Sequence, residues 1–246
     1  MRIKLTVCYD GTLYCGWQRQ KNGFTVQEAL EQAVETLTGE KVAVTGSGRT
    51  DSGVHAKGQV AHFDTNSTIP AEKFFLALNP LLPDDIKVLK SERVSENFHS
   101  VRSAKRKTYV YSLYLASVPI PLYERYALRI DEPIDTKKMQ KAAELFIGEK
   151  DFKAFSSTGS SVKGTVRKIY ALSVEKKGEF IFIKITGNGF LYNMVRIIAG
   201  TLVAIGKGEI SEENVEKAFL TGERTYAGKT LAAKGLTLLC AEYEAE

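Results

Sequence analysis

Apolar and polar positions alternate from the first residues. Ile3, Leu5, Val7 and Tyr9 share one face of residues 2–9, which predicts a strand. The period then lengthens. Val26, Ala29, Leu30, Ala33, Val34 and Leu37 recur at helical spacing over 25–38, behind a capping box of Thr25 and Glu28. Residues 41–46 read as a short strand leading into a glycine-rich loop, and residues 58–64 as another strand. A helix is expected from Pro70 to about Leu78, stopped by Asn79-Pro80, and a strand over 85–92. The order of this half is strand, helix, strand, strand, helix, strand.

The second half repeats it. Residues 106–116 form an aromatic-rich strand, and Asp135 caps a helix that reaches Ile147 with Gly148 as its stop. Residues 165–176 and 179–187 make a hairpin around Lys177-Gly178. An apolar helix over 190–205 is closed by the glycines of GKGE, a short helix over 211–220 reads as an insertion, and 236–243 is the last strand. Each half therefore follows the split βαβ, ferredoxin-like (βαββαβ) order. The expected fold is α+β, with two related subdomains, 1–104 and 105–246, mainly antiparallel sheets and helices on one face of each.

Composition adds limits rather than direction. A chain of 246 residues with 43% hydrophobic and 26% charged residues is that of an ordinary globular protein. The N-terminus shows no charged-then-apolar leader and no run is long enough to span a bilayer, so a cytoplasmic protein without membrane association is expected. Cys8, Cys15 and Cys240 are odd in number and form no CxxC pair, which argues against a disulfide framework or a structural zinc. The net charge of +5 permits an anionic partner without demanding one. Its distribution says more: Arg102, Lys105, Arg106 and Lys107 form one basic group, and Lys163, Arg167 and Lys168 a looser second. Either can line a phosphate track or be a solvated face.

The densest chemistry lies in Gly46 to His55, with three glycines, an Arg, an Asp and a His. Glycines at this spacing let a backbone turn sharply and approach another molecule. No GK[ST] closes the segment, so it is not a Walker A loop, and GNGF at 187–190 lacks the third glycine of a dinucleotide fingerprint. Asp51 has two readings. It is a turn aspartate bonding nearby N–H groups, or it is a nucleophile or base kept ionised by Arg49. His55 is a base, a phosphate contact or a structural histidine. Tyr109 and Tyr111 share one face of their strand, for packing or for stacking on a base. Arg196, among Met194, Val195, Ile197 and Ile198, calls for a partner, expected to be a carboxylate.

Five segments together resemble the bacterial tRNA pseudouridine synthase A family: YDGTLYCGWQRQ at 9–20, GSGRTDSGVHAKGQVAHF at 46–63, FHSVRSAKRKTYVY at 98–111, GNGFLYNMVRIIAG at 187–200 and AAKGLTLLCAEY at 232–243. Their order and spacing span essentially the whole chain. The resemblance implies a pseudouridine synthase fold with a central basic cleft. It also implies isomerisation of uridines at positions 38 to 40 of the tRNA anticodon arm, a homodimer, and neither cofactor nor metal. By the same resemblance Asp51 is the catalytic aspartate and Arg49 helps to extrude the target nucleotide. Tyr109 stacks on the uracil and Arg196 pairs with Asp51. His55, Lys105, Arg106 and Lys107 are further candidate RNA contacts. Two positions depart from the family pattern: Ser52 where Ala is usual, and Asn193 where His is common before MVR. Both stand beside key positions and are expected to tune local packing.

Two rivals predict different residues. A non-catalytic tandem RNA-binding module uses the same sheets as a platform and has no need of Asp51. A carboxylate-based hydrolase needs a second acid or a metal beside Asp51, for which Asp10 and Asp64 are the nearest candidates.

Overall fold

The computed structural model describes residues 1–159 and 164–244, and Lys163 of the second basic group lies outside them. The chain forms two compact units, one of residues 1–105 with the chain from Thr237 onward, the other of residues 106–236.

The first unit is built on β1 (Arg2–Tyr9), α1 (Val26–Thr38), β2 (Thr45–Gly46), β3 (His55–Asp64), α2 (Phe74–Leu78) and β4 (Ile86–Val94). The alternation read in β1 puts Ile3, Leu5, Val7 and Tyr9 in the core. β1 runs antiparallel between β3 and β4, with Leu5 opposite both Ala61 and Ser91, and β2 pairs with the other edge of β3. The order β4-β1-β3-β2 is that of a ferredoxin-like sheet. Thr25 caps α1 by accepting the Glu28 N–H, and left-handed Gly39 ends it by donating to Glu35 O at 2.8 Å.

The second unit carries β5 (Ala104–Leu115), α3 (Pro121–Glu124), β6 (Leu128–Ile130), α4 (Thr136–Ala143), β7 (Gly148–Asp151), β8 (Val166–Lys177), β9 (Phe180–Gly187), α5 (Met194–Lys207) and α6 (Glu212–Thr221). β9 lies antiparallel between β5 and β8, β7 extends the sheet beyond β8, and β6 adds a short parallel pairing to β5. Asp135 caps α4 through the Lys137 and Lys138 N–H groups. α5 is buried over most of its surface. It packs closely on α4 because Gly206 lies against Met139: a Cβ there would stand 2.7 Å from Met139 Cγ.

Several expectations need correction. The strand expected over 41–46 is formed only at Thr45 and Gly46. The helix from Pro70 is tight single turns at 71–73 and 79–81 around a five-residue α2, and the helix capped by Asp135 leaves α geometry after Ala143. α5 starts at Met194 rather than near 190, because Asn193 has φ 60°, outside helical space. α3, β6 and β7 are too short to show a period. The last strand, β10 (Leu236–Tyr243), stands in the sequence as the closing strand of the second half, yet it runs parallel to β3, with Thr237 opposite His55 and Leu238 opposite Ala56. Gly58 permits this approach, since a Cβ there would lie 2.5 Å from Leu239 O. A division at residue 104 therefore misses a strand of the first unit.

His62 on β3 is buried, and its Nδ1 accepts the Ser100 N–H at 3.3 Å, while the Ser100 hydroxyl donates to Thr45 O at 2.7 Å. Burial, with Arg2 and His99 nearby, pulls the imidazole down to about 4. Between that value and the ordinary 6.5, the unfolded chain binds a proton that the folded chain does not. Stability contributed here is complete above pH 6.5 and is lost as pH falls toward 4. Denaturant midpoints should therefore decline less steeply over this range in His62→Gln than in the wild type. Equal slopes would show that His62 does not carry the effect.

Candidate active site

The loop from Gly46 to His55 joins β2 to β3, and its shape is imposed by the segment that follows β1. The Trp17 N–H donates to Thr50 O at 3.1 Å, the Tyr9 and Thr50 hydroxyls lie 2.8 Å apart, and the Ser52 hydroxyl donates to Tyr14 O at 3.1 Å. From β3, Gln59 donates to Gly48 O at 2.9 Å and accepts from Ser47 Oγ at 2.6 Å. The Val54 N–H closes a turn onto Asp51 O at 3.1 Å. Gly16, at φ 83°, lies so close that a Cβ would stand 2.5 Å from Thr50 O. Beneath the loop, Trp17 is buried against Gly46 and next to Tyr9. Asp51 is thus held by backbone on both sides, with its side chain half-buried and Arg49 exposed.

His55 is only 3% exposed. Its Nδ1 has the Gly11 N–H at 3.1 Å and Asp10 Oδ1 also at 3.1 Å. A lone pair there accepts from Gly11, and a proton there would serve Asp10; either arrangement ties the start of β3 to the 9–17 segment. Asp10 also accepts the Thr12 N–H at 3.0 Å. Asp64 stands at the opposite end of β3, where Arg2 grips it at 2.7 and 2.9 Å and holds its carboxyl below the usual range. Both acids that a hydrolase would call on therefore have structural partners.

In the second unit Tyr109 is buried on β5 opposite Ile185, and Phe190 meets its ring edge to face at 5.2 Å. Tyr111, two residues on, is packing: its hydroxyl donates to Ala232 O at 2.7 Å and its ring covers Gly235. Arg196 is half-buried in the first turn of α5. Its Nε donates to Leu231 O at 2.7 Å and its Nη1 to Asn193 Oδ1 at 2.6 Å.

Strand alternation divides the basic stretch that the sequence presents as one group. Lys105 pairs with Glu244 at 2.8 Å, both exposed. The Arg106 guanidinium lies 4.8 Å from the centre of the Tyr170 ring, which Lys168 also approaches at 5.8 Å. Lys107 shares a strand face with Tyr109. Burial, with Arg167 nearby, pulls its ammonium down to about 8. The sequence reading missed Phe190, Trp17 and Gly16, which act on their neighbours through packing or backbone approach. It noticed Asn193 only as a departure from a pattern.

A sequence profile described as tRNA pseudouridine synthase matches residues 5–102 and 142–244. The chain belongs to the tRNA pseudouridine synthase family. It is thereby an isomerase, and the non-catalytic reading falls away. It is 50% identical over 239 residues to the tRNA pseudouridine synthase A of Ruminiclostridium cellulolyticum, covering 97% of this chain and 98% of that protein. The protein of the same name from Thermoanaerobacter sp. (strain X514) is 48% identical over 237 residues, with 96% and 97% covered. Among solved structures, an archaeal box H/ACA sRNP Nop10–Cbf5 complex matches at TM-score 0.38 and 10% identity, over 94% of this chain and 58% of that one. A Cbf5-Nop10-Gar1 complex matches at TM-score 0.36 and 16% identity, over 82% and 45%. The chain thus spans about half the length of these solved chains, a likeness too loose to bear on the fold.

The locked loop yields a direct expectation. In Gly16→Ala the new methyl, at a backbone conformation that disfavours it, must push against Thr50 and displace Asp51. A shift of about 1 Å at a reacting group costs on the order of a hundredfold in rate. Single-turnover isomerisation should fall by roughly that factor. A wild-type rate in this variant would mean that the loop keeps its shape without Gly16.

Proposed function

We propose that this chain isomerises uridine to pseudouridine in the anticodon stem-loop of tRNA, at positions 38 to 40, as a cytoplasmic homodimer with Asp51 as its catalytic carboxylate. The observation that supports this most is the bracing of the Asp51 loop, whose turn is fixed by hydrogen bonds from Trp17, Ser52 and Gln59. A turn aspartate with only a local role has no need of so many long-range ties.

The reaction rearranges one nucleotide. The bond from ribose C1′ to uracil N1 breaks, the base turns, and C1′ bonds to C5. The C5 proton is then removed and N1 takes one up, so atoms balance without a redox step. Asp51 attacks C1′ or C6, or steadies the charge that develops as the base departs. The target must leave the stack, and we assign Arg49, exposed two residues before Asp51, to hold it outside the helix. Tyr109 takes the role of uracil platform, with its ring edge fixed by Phe190, and its hydroxyl or a water removes the C5 proton. We assign Arg196 as a cation of the reaction, which accounts for an arginine on an apolar helix. His55 becomes a support of the loop rather than an RNA contact, because it is buried beneath Gly11 and Asp10. Arg106 and Lys107 serve the phosphate backbone from opposite faces of β5.

Tritium release from uridine-labelled tRNA should fall by about a thousandfold or more in Asp51→Asn, with tRNA affinity kept within a few-fold. Pseudouridine mapping of the wild-type product should place the modification at 38 to 40. An Asp51→Asn protein that still releases tritium at the wild-type rate removes Asp51 from the chemistry, and modification elsewhere in the tRNA corrects the substrate.

The depressed Lys107 supplies a second measurement. Its charge is complete well below pH 8 and is lost as pH rises through that value. Affinity for tRNA should therefore weaken between about pH 7 and 9 in the wild type and change less in Lys107→Met. Parallel pH dependences would exclude Lys107 from the RNA track.

A further inference from the structure

We propose that Asn193 is a positioning residue for the isomerisation, holding the Arg196 guanidinium in the orientation that the reacting site uses. The inference rests on the assignment of Arg196 to that site. Among the described residues Asn193 is the one non-glycine residue with positive φ, at 60°. Asparagine is among the few side chains that enter this region readily, because its short amide can bond locally. The position also precedes α5, where an asparagine side chain ordinarily accepts an N–H of the first helical turn. Here it makes no such cap.

The amide is used instead for a relay. Its Nδ2 donates to Ser157 Oγ at 3.0 Å, and its Oδ1 accepts from Arg196 Nη1 at 2.6 Å. The Ser157 N–H in turn donates to Tyr192 O at 3.0 Å, so the relay is anchored to the backbone beside Asn193. Donation to Ser157 fixes which way the amide faces and leaves its oxygen toward Arg196. On another edge of the guanidinium, Leu231 O accepts from Nε at 2.7 Å. Both acceptors are neutral. Together they set the plane of the guanidinium.

The test separates geometry from stability. Asn193→Gly keeps the left-handed backbone free of strain and deletes the amide. It should melt within about 2 °C of the wild type. Its kcat on tRNA should fall about tenfold or more with KM within about twofold, since orientation is lost but binding is not. Asn193→His restores a neutral acceptor on a residue that also tolerates positive φ. It should recover kcat to within about threefold of the wild type. A wild-type kcat in Asn193→Gly, a loss confined to KM, or a histidine variant no better than glycine would each overturn the proposal. Arg196→Ala in the same assay distinguishes the two levels of failure. If it is inactive while Asn193→Gly is fully active, only the relay is refuted. If it is itself fully active, the assignment of Arg196 fails and the relay with it.

Discussion

The backbone contact between Gly16 and Thr50 is the constraint on which the Asp51 loop depends. Two chain segments far apart in sequence approach so closely that no side chain fits between them. That proximity brings the Trp17 N–H onto Thr50 O and the Tyr14 carbonyl within reach of Ser52. The indole of Trp17 then fills the space under Gly46, so burial of a large aromatic stabilises the same arrangement that the hydrogen bonds specify. Close packing makes the loop stiff.

How much of this was legible in the sequence depends on range. The alternation in β1 and the helical spacing in α1 are local signals, and both elements appear where the pattern places them. The GRTD loop announced itself by composition and by its resemblance to a family. What the pattern does not carry is the reason for each glycine. Gly11 and Gly16 stand in the sequence only as letters of the YDGTLYCGWQRQ segment, whereas their lack of a side chain is required by Val54 and Thr50, forty-three and thirty-four positions away. Asn193 was visible only as a deviation, because left-handed backbone and a side chain turned away from its own helix leave no periodic trace.

The basic stretch shows a different limit. In sequence Lys105, Arg106 and Lys107 are a single run of charge. Strand geometry sends neighbours to opposite faces, and each side chain then meets its own surroundings: an exposed carboxylate of Glu244, the ring of Tyr170, or a half-buried position near Arg167. Summed charge predicts attraction to a polyanion, but only placement decides which of the three is free to act on it.

β10 has a consequence for how the molecule comes to be made. It follows the second unit in sequence, and it zips alongside β3, the strand that follows the GRTD loop. A nascent chain released from its N-terminus first must hold that strand with one edge incompletely paired until the rest of the second unit has been synthesised. Completion of the loop's own sheet is therefore coupled to synthesis of the second unit, and a product truncated before β10 lacks a strand beside β3 even though every residue of the GRTD segment is present.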